Sequence, residues 1–578
     1  MSAAARAAVC ALLLPGAAIA QSPDFGELLA ADPASWLQYG HDYGAHRFVR
    51  LADIDRGNVS YLRPVWSVET GGDNPRLEAT PLVHDGVVYM AAGDSRVLAL
   101  DAQTGARRWL FAPELPDAVG RVLCCGANNR GVALLDGLVF VGTVDARLIA
   151  LDARTGVPAW QAVVADWEQG YSITGAPLAV RDMVVTGVAG GEYGIRGFVA
   201  ALDAHTGALR WRTHVIPGPG EAGHESWAGE AWRTGGGATW ATGSYDAELD
   251  LVFWNTGNPA PWDCRLRPGD NKWTAGTVAL EAATGAIAWG FQYTPGDCWD
   301  RDSVSTPVLA ELTINGRALK ALLHYDKNGY FYVLDRAHGR FVRGTAIVAG
   351  MNWADGLDPA SGRPIVNPDM VPGAGGGEIG PVLTGNQGGV SWQPLAWDPD
   401  RGVAYVLSNT LATSFDYLGA DALAGAGPGD WYTAAVDEQY EVARVPQGGF
   451  VAFDPARGRE LWRRSDSLPF YAGALATAAG LVFTGDLHGR ALALDADTGA
   501  LLWAHQTGAA IAGSPISYRL DGVQYVLFPS GMGSGGEAHG PGAARTERPR
   551  LTAYALDWAA ERRARASERL MEAPAALP

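Results

Sequence analysis

The segment Ala99-Leu-Asp-Ala-Gln-Thr-Gly-Ala-Arg-Arg-Trp109 is the clearest indication of how this chain folds, because it recurs along the sequence. An alternating strand leads into the Asp, a turn follows with Gly near its end, and the next strand carries the Trp. Repeats of about 40–50 residues built from strands and Gly-rich turns are typical of β-propeller blades. Close copies run from Ala150 to Trp160, Ala201 to Trp211, Ala279 to Trp289 and Ala493 to Trp503, and weaker copies from Val333 to Arg343 and Ala452 to Trp462.

These seven copies leave one blade to find. The C-terminal run Tyr554-Ala-Leu-Asp557 can pair with the N-terminal segment around Trp66, which would join both ends of the chain in one blade. A single four-stranded blade cannot bury both of its faces, so neighbouring blades must stack, and Trp is a suitable wedge between them. The sequence therefore predicts an all-β fold, an eight-bladed β-propeller with tryptophan-docking repeats.

The N-terminus has the composition of an export signal. A positive start at Arg6, an apolar run from Ala7 to Leu14 and the ending Ala18-Ile-Ala20 predict a signal peptide over residues 1–20. The propeller is then expected over 21–558 and a charged tail over 559–578. The apolar run is too short to span a bilayer, and no later run is longer. We therefore expect a periplasmic protein with no membrane span.

The overall charge limits the partners. The net charge of −18 argues against a nucleic acid partner; it would suit docking to a basic protein, and it would serve solubility equally well.

Two cysteines, Cys124 and Cys125, are adjacent in the sequence. Neighbouring Cα atoms lie about 3.8 Å apart across a trans peptide, whereas ordinary disulfides need roughly 4.4–6.8 Å. A bond between them would close a small strained ring of the kind that persists where function holds it. The alternative is a pair of reduced cysteines packed as small apolar side chains.

The repeat and the paired cysteines together resemble the PQQ-dependent (quinoprotein) alcohol dehydrogenases, in particular the lanthanide-dependent methanol and ethanol dehydrogenases. The resemblance covers essentially the whole mature chain. It implies an eight-bladed propeller that holds pyrroloquinoline quinone (PQQ) above a metal ion. In this family a disulfide between the paired cysteines lies against one face of the quinone and a tryptophan lies against the other.

The resemblance also implies which residues contact PQQ. Because PQQ is a tricarboxylate, fixed donors and cations are expected around it, together with small residues that let the backbone approach. The residues that match the family's cofactor positions are Glu78, Cys124, Cys125, Arg130, Thr174, Ala189, Gly190, Gly191, Trp240, Lys327, Trp392 and Tyr471.

Oxygen ligands for the metal are implied at four positions, namely Glu192, Asn258, Asp300 and Asp302. Carboxylate and amide oxygens suit a hard cation. Calcium-dependent members usually lack an acid at the position of Asp302, so a lanthanide is favoured over Ca²⁺. In an extended segment Asp300 and Asp302 would point to the same side.

The implied reaction is hydride transfer from an alcohol to the quinone, which yields an aldehyde or a ketone. Asp300 would act as the general base, and the metal would act as a Lewis acid. Electrons would pass to a soluble cytochrome c. The oligomeric state stays open between a monomer and a homodimer.

Two other functions are compatible with parts of the pattern. One is a calcium-dependent quinoprotein dehydrogenase of polyols, sugars or polymeric alcohols. The other is a non-catalytic propeller scaffold, which would share the repeat but would have no reason to keep the paired cysteines with the oxygen ligands.

Some residues depart from the family pattern. Tyr471 stands where a cofactor-lining Trp is common, and Ser391 stands where Asn or Asp is frequent.

Cys264 and Cys298 flank the expected metal ligands, so a disulfide between them would brace the site, while two free thiols remain the alternative. The segment between Leu411 and Gln447 is interpreted as a long loop.

Overall fold

A computed structural model describes residues 22–440, 446–533, 543–544 and 548–558 of the protein. The predicted signal peptide (1–20) and charged tail (559–578) lie outside the described residues. Strands dominate the described chain, which confirms the all-β class. No helix in the described part of the chain has the length and apolar character needed to cross a bilayer.

The repeats fold into consecutive antiparallel sheets. The first four sheets comprise Leu82–His84, Val87–Ala92, Arg96–Asp101 and Arg107–Phe111; Ala133–Leu135, Leu138–Gly142, Arg147–Asp152 and Pro158–Val163; Leu178–Val180, Met183–Gly187, Phe198–Asp203 and Leu209–His214; and Ser244–Asp246, Leu251–Thr256, Gly276–Glu281 and Ile287–Gln292. The next three comprise Val308–Ile314, Arg317–Tyr325, Tyr330–Asp335 and Arg340–Ala346; Ala396–Asp398, Val403–Leu407, Gly448–Asp454 and Arg459–Asp466; and Leu475–Thr477, Leu481–Gly485, Arg490–Asp495 and Leu501–Gln506, with Phe48–Val49 added in parallel.

One further sheet joins the two ends of the chain. It contains Ile516–Leu520, Val523–Ser530 and Arg550–Leu556, and its fourth strand is the N-terminal Leu62–Glu69. Pro64 lies opposite Tyr554, so the predicted pairing of the two termini is confirmed.

The tryptophan of one repeat contacts the turn of the next. Trp109 donates from Nε1 to the carbonyl oxygen of Ala153 over 3.0 Å, and its ring lies against Gly156. A Cβ on Gly156 would come within 2.6 Å of that ring, and the residue has a positive φ of 72°, so only glycine fits there. The same two contacts link Trp66 to Ala102 and Gly105, Trp160 to Ala204 and Gly207, Trp211 to Ala282 and Gly285, Trp289 to Arg336 and Gly339, and Trp462 to Ala496 and Gly499.

The weakest repeat replaces this tryptophan with Arg343. Its guanidinium donates to the carbonyl oxygen of Pro455 over 3.4 Å and lies close to Gly458. The contact therefore has the same place in the repeat but depends on hydrogen bonds instead of an indole ring.

The interpretation of the segment between Leu411 and Gln447 as a long loop is wrong in part. It contains the strands Ala412–Tyr417 and Ala435–Tyr440, which form a sheet with Gly377–Leu383. A small hairpin of Ala354–Leu357 and Pro364–Val366 lies nearby in the sequence.

Within the described ranges, the helical elements with defined bounds are short. They are the α-helix Phe25–Ala30 and the 3₁₀ turns Val59–Tyr61, Gly93–Ser95, Asp117–Val122, Trp167–Gln169, Gly191–Tyr193, His224–Ser226, Ala231–Thr234, Cys264–Leu266, Pro368–Met370 and Ala420–Leu423.

Candidate active site

The loops between strands enclose a cavity of about 360 Å³, within the range of small-molecule sites. Twelve of the sixteen predicted site residues line it: Cys124, Cys125, Arg130, Thr174, Ala189, Gly190, Glu192, Trp240, Asp300, Asp302, Lys327 and Trp392. The other four, Glu78, Gly191, Asn258 and Tyr471, do not line the cavity, but each lies within one residue of a lining residue or contacts one. The positions predicted from distant parts of the sequence thus converge in one place.

Two acids and one lysine form the charged centre of the cavity. Lys327 Nζ lies 3.1 Å from Asp302 Oδ2 and 3.6 Å from Asp300 Oδ2, and it donates to the main-chain oxygen of Asp300 over 2.6 Å. Burial raises the pKa of Asp300 well above its ordinary value; Lys327 opposes this shift, and Asp302 adds to it. Burial by itself would lower the pKa of Lys327, but the two carboxylates outweigh burial and the net shift is upward. Lys327 therefore stays charged.

The backbone differs from the expected one at Asp300. We expected an extended segment, but Asp300 has a φ of 56°, in the left-handed region. Both carboxylates nevertheless lie close to the ammonium group of Lys327, although the segment that carries them is not extended at Asp300. Asp302 is also held by Trp240, which donates from Nε1 to Asp302 Oδ1 over 3.2 Å.

Asn258 provides the test of whether this end of the cavity suits a cation. One terminal atom of its amide lies 3.2 Å from Asp302 Oδ1 and 3.3 Å from Asp300 Oδ1, and the other lies 3.0 Å from Trp262 Nε1. If the oxygen faces the carboxylates, three oxygens converge, an arrangement that a hard cation stabilises. If the amide is turned over, its nitrogen donates to both acids and its oxygen accepts from Trp262. Asn258, Asp300 and Asp302 therefore fit a metal ion when the amide oxygen faces the carboxylates. When the amide nitrogen faces them, the three side chains are hydrogen-bonded to one another.

Glu192 is the third predicted carboxylate ligand. It lies on the turn Gly191–Tyr193, directly after Gly190, where a Cβ would come within 2.0 Å of the Gly170 carbonyl oxygen. Burial raises the pKa of Glu192 to about 7, and the charge of Asp302 contributes to the shift. No group of three or more His, Cys, Asp or Glu side chains in the described part of the chain forms a metal site, so the predicted set depends on the amide of Asn258.

Arg130 anchors the other side of the cavity. Its guanidinium lies 2.6 Å from the Glu78 carboxylate, with both side chains almost fully buried, and it donates to Thr174 Oγ1 over 3.1 Å. The same group lies 4.4 Å from the ring centre of Trp240 and 5.2 Å from that of Trp392. Cations, a hydroxyl and small residues in one cavity match the requirements of a flat tricarboxylate.

The paired cysteines are not bonded to each other in this structure. Cys124 Sγ and Cys125 Sγ lie 2.6 Å apart as two thiols, so the disulfide implied by the family resemblance is not formed here. Both residues are exposed toward the cavity, where a planar ligand can reach them.

The predicted disulfide between Cys264 and Cys298 is present. It closes a loop of 34 residues between the turn after Asn258 and the segment before Asp300. The crosslink therefore ties together two segments that carry predicted metal ligands.

Several lining residues were not predicted, among them Arg76, Tyr193, Trp262 and Trp431. The ring centre of Trp431 lies 5.5 Å from that of Tyr193 and 6.4 Å from that of Trp262, so an aromatic wall adjoins the turn of Glu192. Arg76 directly precedes the Leu77-Glu78 motif, and this nearness in the sequence is the signal that it carried. Trp431 had no such signal, because it lies in the segment interpreted as a loop.

Comparison with known proteins gives the family. The profile described as "Glucose/ethanol/alcohol dehydrogenase, beta-propeller domain" matches residues 36–346, and one described as "Outer membrane protein assembly factor BamB" matches residues 447–526.

Curated relatives span nearly the whole chain. The quinoprotein alcohol dehydrogenase PedH of Pseudomonas putida is 39% identical, over 90% of this chain and 90% of its own length. The lanthanide-dependent methanol dehydrogenase of Methylacidiphilum fumariolicum is 35% identical, over 90% of this chain and 88% of its own length. A solved europium-containing methanol dehydrogenase superposes with a TM-score of 0.87 at 33% identity, covering 92% of this chain and 100% of that one. The chain belongs to the PQQ-dependent quinoprotein alcohol dehydrogenase family.

Proposed function

We propose that this protein oxidises small alcohols to aldehydes or ketones in the cavity described above, with PQQ and one metal ion as cofactors. The observation that carries the proposal is the grouping of Asp300, Asp302 and Lys327 in one cavity with Trp240 and the paired cysteines. A non-catalytic scaffold has no use for two buried acids around a buried ammonium, because such a group is costly to desolvate.

In this proposal the protein binds PQQ through its carboxylates and through the two faces of its ring. Arg130 and Lys327 supply positive charge, Thr174 supplies a hydroxyl donor, and the faces of the ring contact Trp240 and the paired cysteines. We propose that Cys124 and Cys125 become disulfide-bonded in the mature enzyme, as in the family. The bound PQQ would supply the two-electron acceptor, and the metal would supply a Lewis acid.

The metal would be bound by Glu192, Asn258, Asp300 and Asp302. Three of these four ligands are anionic, and a trivalent ion gains more from the third carboxylate than Ca²⁺ does. We therefore favour a lanthanide. The lanthanide-dependent and europium-containing relatives support this choice.

Asp300 would take the proton from the alcohol hydroxyl. A carboxylate whose pKa is raised by burial is a better proton acceptor near neutral pH than an ordinary one. The main-chain oxygen of Asp300 accepts a hydrogen bond from Lys327, which fixes the position of Asp300 relative to the ammonium group.

The aromatic wall bears on the choice of substrate. Tyr193, Trp262 and Trp431 present large apolar surfaces beside Glu192. Such a wall favours an apolar alcohol over a polyol or a sugar, because it provides few hydrogen-bond partners for additional hydroxyls.

The remaining parts of the proposal concern the architecture and the surroundings of the enzyme. We infer that the eight repeat sheets are eight blades docked by the tryptophans of the repeat. Export by residues 1–20 would place the enzyme in the periplasm. The acidic surface would then favour electron transfer to a soluble cytochrome c.

Reconstitution tests the proposal. Purified apoprotein is given PQQ with La³⁺, with Ca²⁺ or with neither metal, and dye-linked oxidation of ethanol, 1-butanol, 2-phenylethanol and glycerol is followed. We expect turnover of the first three alcohols with La³⁺ and little turnover without metal. No turnover of any alcohol with either metal would contradict the proposal.

A further inference from the structure

Three cations line the cavity among the described residues, and they differ in their partners. Arg130 is paired with Glu78, and Lys327 is paired with Asp302 and Asp300. Arg76 has no acidic partner within 4.0 Å and no side-chain hydrogen bond among the described residues, and its Nε is buried without a partner. A buried donor without an acceptor costs free energy unless a ligand supplies one.

The position of Arg76 is fixed from both sides. Leu77 N donates to the carbonyl oxygen of Met532 over 2.9 Å, and Met532 N donates to that of Pro75 over 2.9 Å. The guanidinium packs on Gly126, where a Cβ would come within 2.7 Å of Arg76 Cζ. Gly126 directly follows Cys125, so the arginine lies beside the paired cysteines.

The charge of the cavity without a ligand gives a second argument. Among the described residues the lining contains four acids, Glu192, Asp300, Asp302 and Asp437, against three cations. A ligand with three carboxylates would add further negative charge, and the cations of Arg130 and Lys327 are already engaged by protein carboxylates. Among the lining cations that the structure describes, Arg76 is the one not engaged by a protein carboxylate, so its whole charge is available to the ligand.

We propose that Arg76 is a PQQ-binding residue that pairs with a carboxylate of the cofactor at the edge of the cavity next to Cys125. This inference rests on the proposed function, because it takes PQQ as the ligand. Arginine suits the role because its guanidinium can donate two parallel hydrogen bonds to one carboxylate.

The test measures the binding of PQQ and does not depend on turnover. The Kd of PQQ for full-length apoprotein with La³⁺ is measured by equilibrium dialysis for wild type, Arg76→Gln, Arg76→Lys and Arg121→Gln. Arg121→Gln is the matched control, because it removes the same charge from the segment that carries the paired cysteines, but Arg121 does not line the cavity. Circular dichroism verifies that each variant is folded.

We expect Arg76→Gln to raise the Kd about tenfold to a hundredfold, Arg76→Lys to raise it less, and Arg121→Gln to change it less than about threefold. The PQQ trimethyl ester provides a second comparison, since the loss caused by Arg76→Gln should shrink when the carboxylates are esterified. A Kd for Arg76→Gln within threefold of wild type would overturn the inference; if this variant does not fold, Arg76→Ala, which also removes the charge, is judged by the same criterion. Wild-type protein that fails to bind PQQ would instead refute the proposed function.

Discussion

Lys327 Nζ lies 3.1 Å from Oδ2 of Asp302, and both side chains are buried in the candidate active site. The same ammonium donates to the main-chain oxygen of Asp300, so one cation links Asp300, the proposed base, to Asp302, a proposed metal ligand. A buried cation beside two acids compensates their negative charge. Its removal would leave two buried carboxylates without a counter-charge.

Lys327 is therefore the first target. We expect Lys327→Met to lower kcat by about 10²–10³, because preorganised charge at the reacting centre contributes an effect of that size. Lys327→Arg should retain part of the activity. The measurement is dye-linked turnover at saturating PQQ and La³⁺, with Lys320→Met as the control, since Lys320 pairs with Glu248 away from the cavity. Equal activity of Lys327→Met and wild type would contradict the role.

Asp302 is expected to determine the choice of metal. In Asp302→Ala the metal loses one anionic ligand, which costs a trivalent ion more than Ca²⁺. We expect La³⁺-dependent activity to fall at least about tenfold relative to Ca²⁺-dependent activity. The exposed Asp369→Ala serves as the control. An unchanged ratio of the two activities would mean that Asp302 does not bind the metal.

Metal binding should depend on pH. The pKa of Glu192 is raised to about 7 and that of Asp300 is raised as well, so both acids hold protons at lower pH in the metal-free protein. The metal binds the ionised form and must displace these protons, so affinity falls as pH falls below 7. We expect the Kd of La³⁺ to rise by about tenfold per pH unit for each displaced proton, measured by calorimetry between pH 5 and 7. Glu192→Gln should flatten this slope; a pH-independent Kd in wild type would contradict the prediction.

Trp431 is predicted to contribute to substrate preference. Its side chain is 50% exposed, yet it lines the cavity and contacts Tyr193 and Trp262. We expect Trp431→Ala to lower kcat/KM for 2-phenylethanol by about tenfold, because one aromatic contact is lost, and to change that for ethanol much less. Trp558→Ala, at another exposed tryptophan, is the control. Equal losses for both alcohols would argue against a role in selecting the substrate.

The repeat made much of the fold predictable. Trp109 packs on Gly156 of the next copy, and in each copy the glycine stands four residues before the tryptophan position, so the pattern that forms each turn also specifies where the indole packs. The pairing of Leu62–Glu69 with Arg550–Leu556 was predictable for a related reason, since the C-terminal run lacked a strand that the N-terminus could supply.

The candidate site was predictable only where motifs carried it. Glu192 and Asp300 stand in short recognisable motifs, whereas Trp431 comes from an insertion without repeat character. The conformation of Asp300 was missed because a left-handed residue other than glycine leaves no mark in the hydrophobic pattern. Arg76 was missed because its importance depends on what the other cations contact, which only the three-dimensional structure reveals.

The proposed role of Asp300 is to accept the alcohol proton in a cavity that holds PQQ and a metal ion. The most direct measurement is dye-linked oxidation of ethanol by wild type and Asp300→Asn, both saturated with PQQ and La³⁺, with bound PQQ and bound metal quantified in each sample. We expect Asp300→Asn to keep bound cofactor and metal but to lose about 10²–10⁴ in kcat. An Asp300→Asn protein that retains wild-type turnover at equal occupancy would contradict this role.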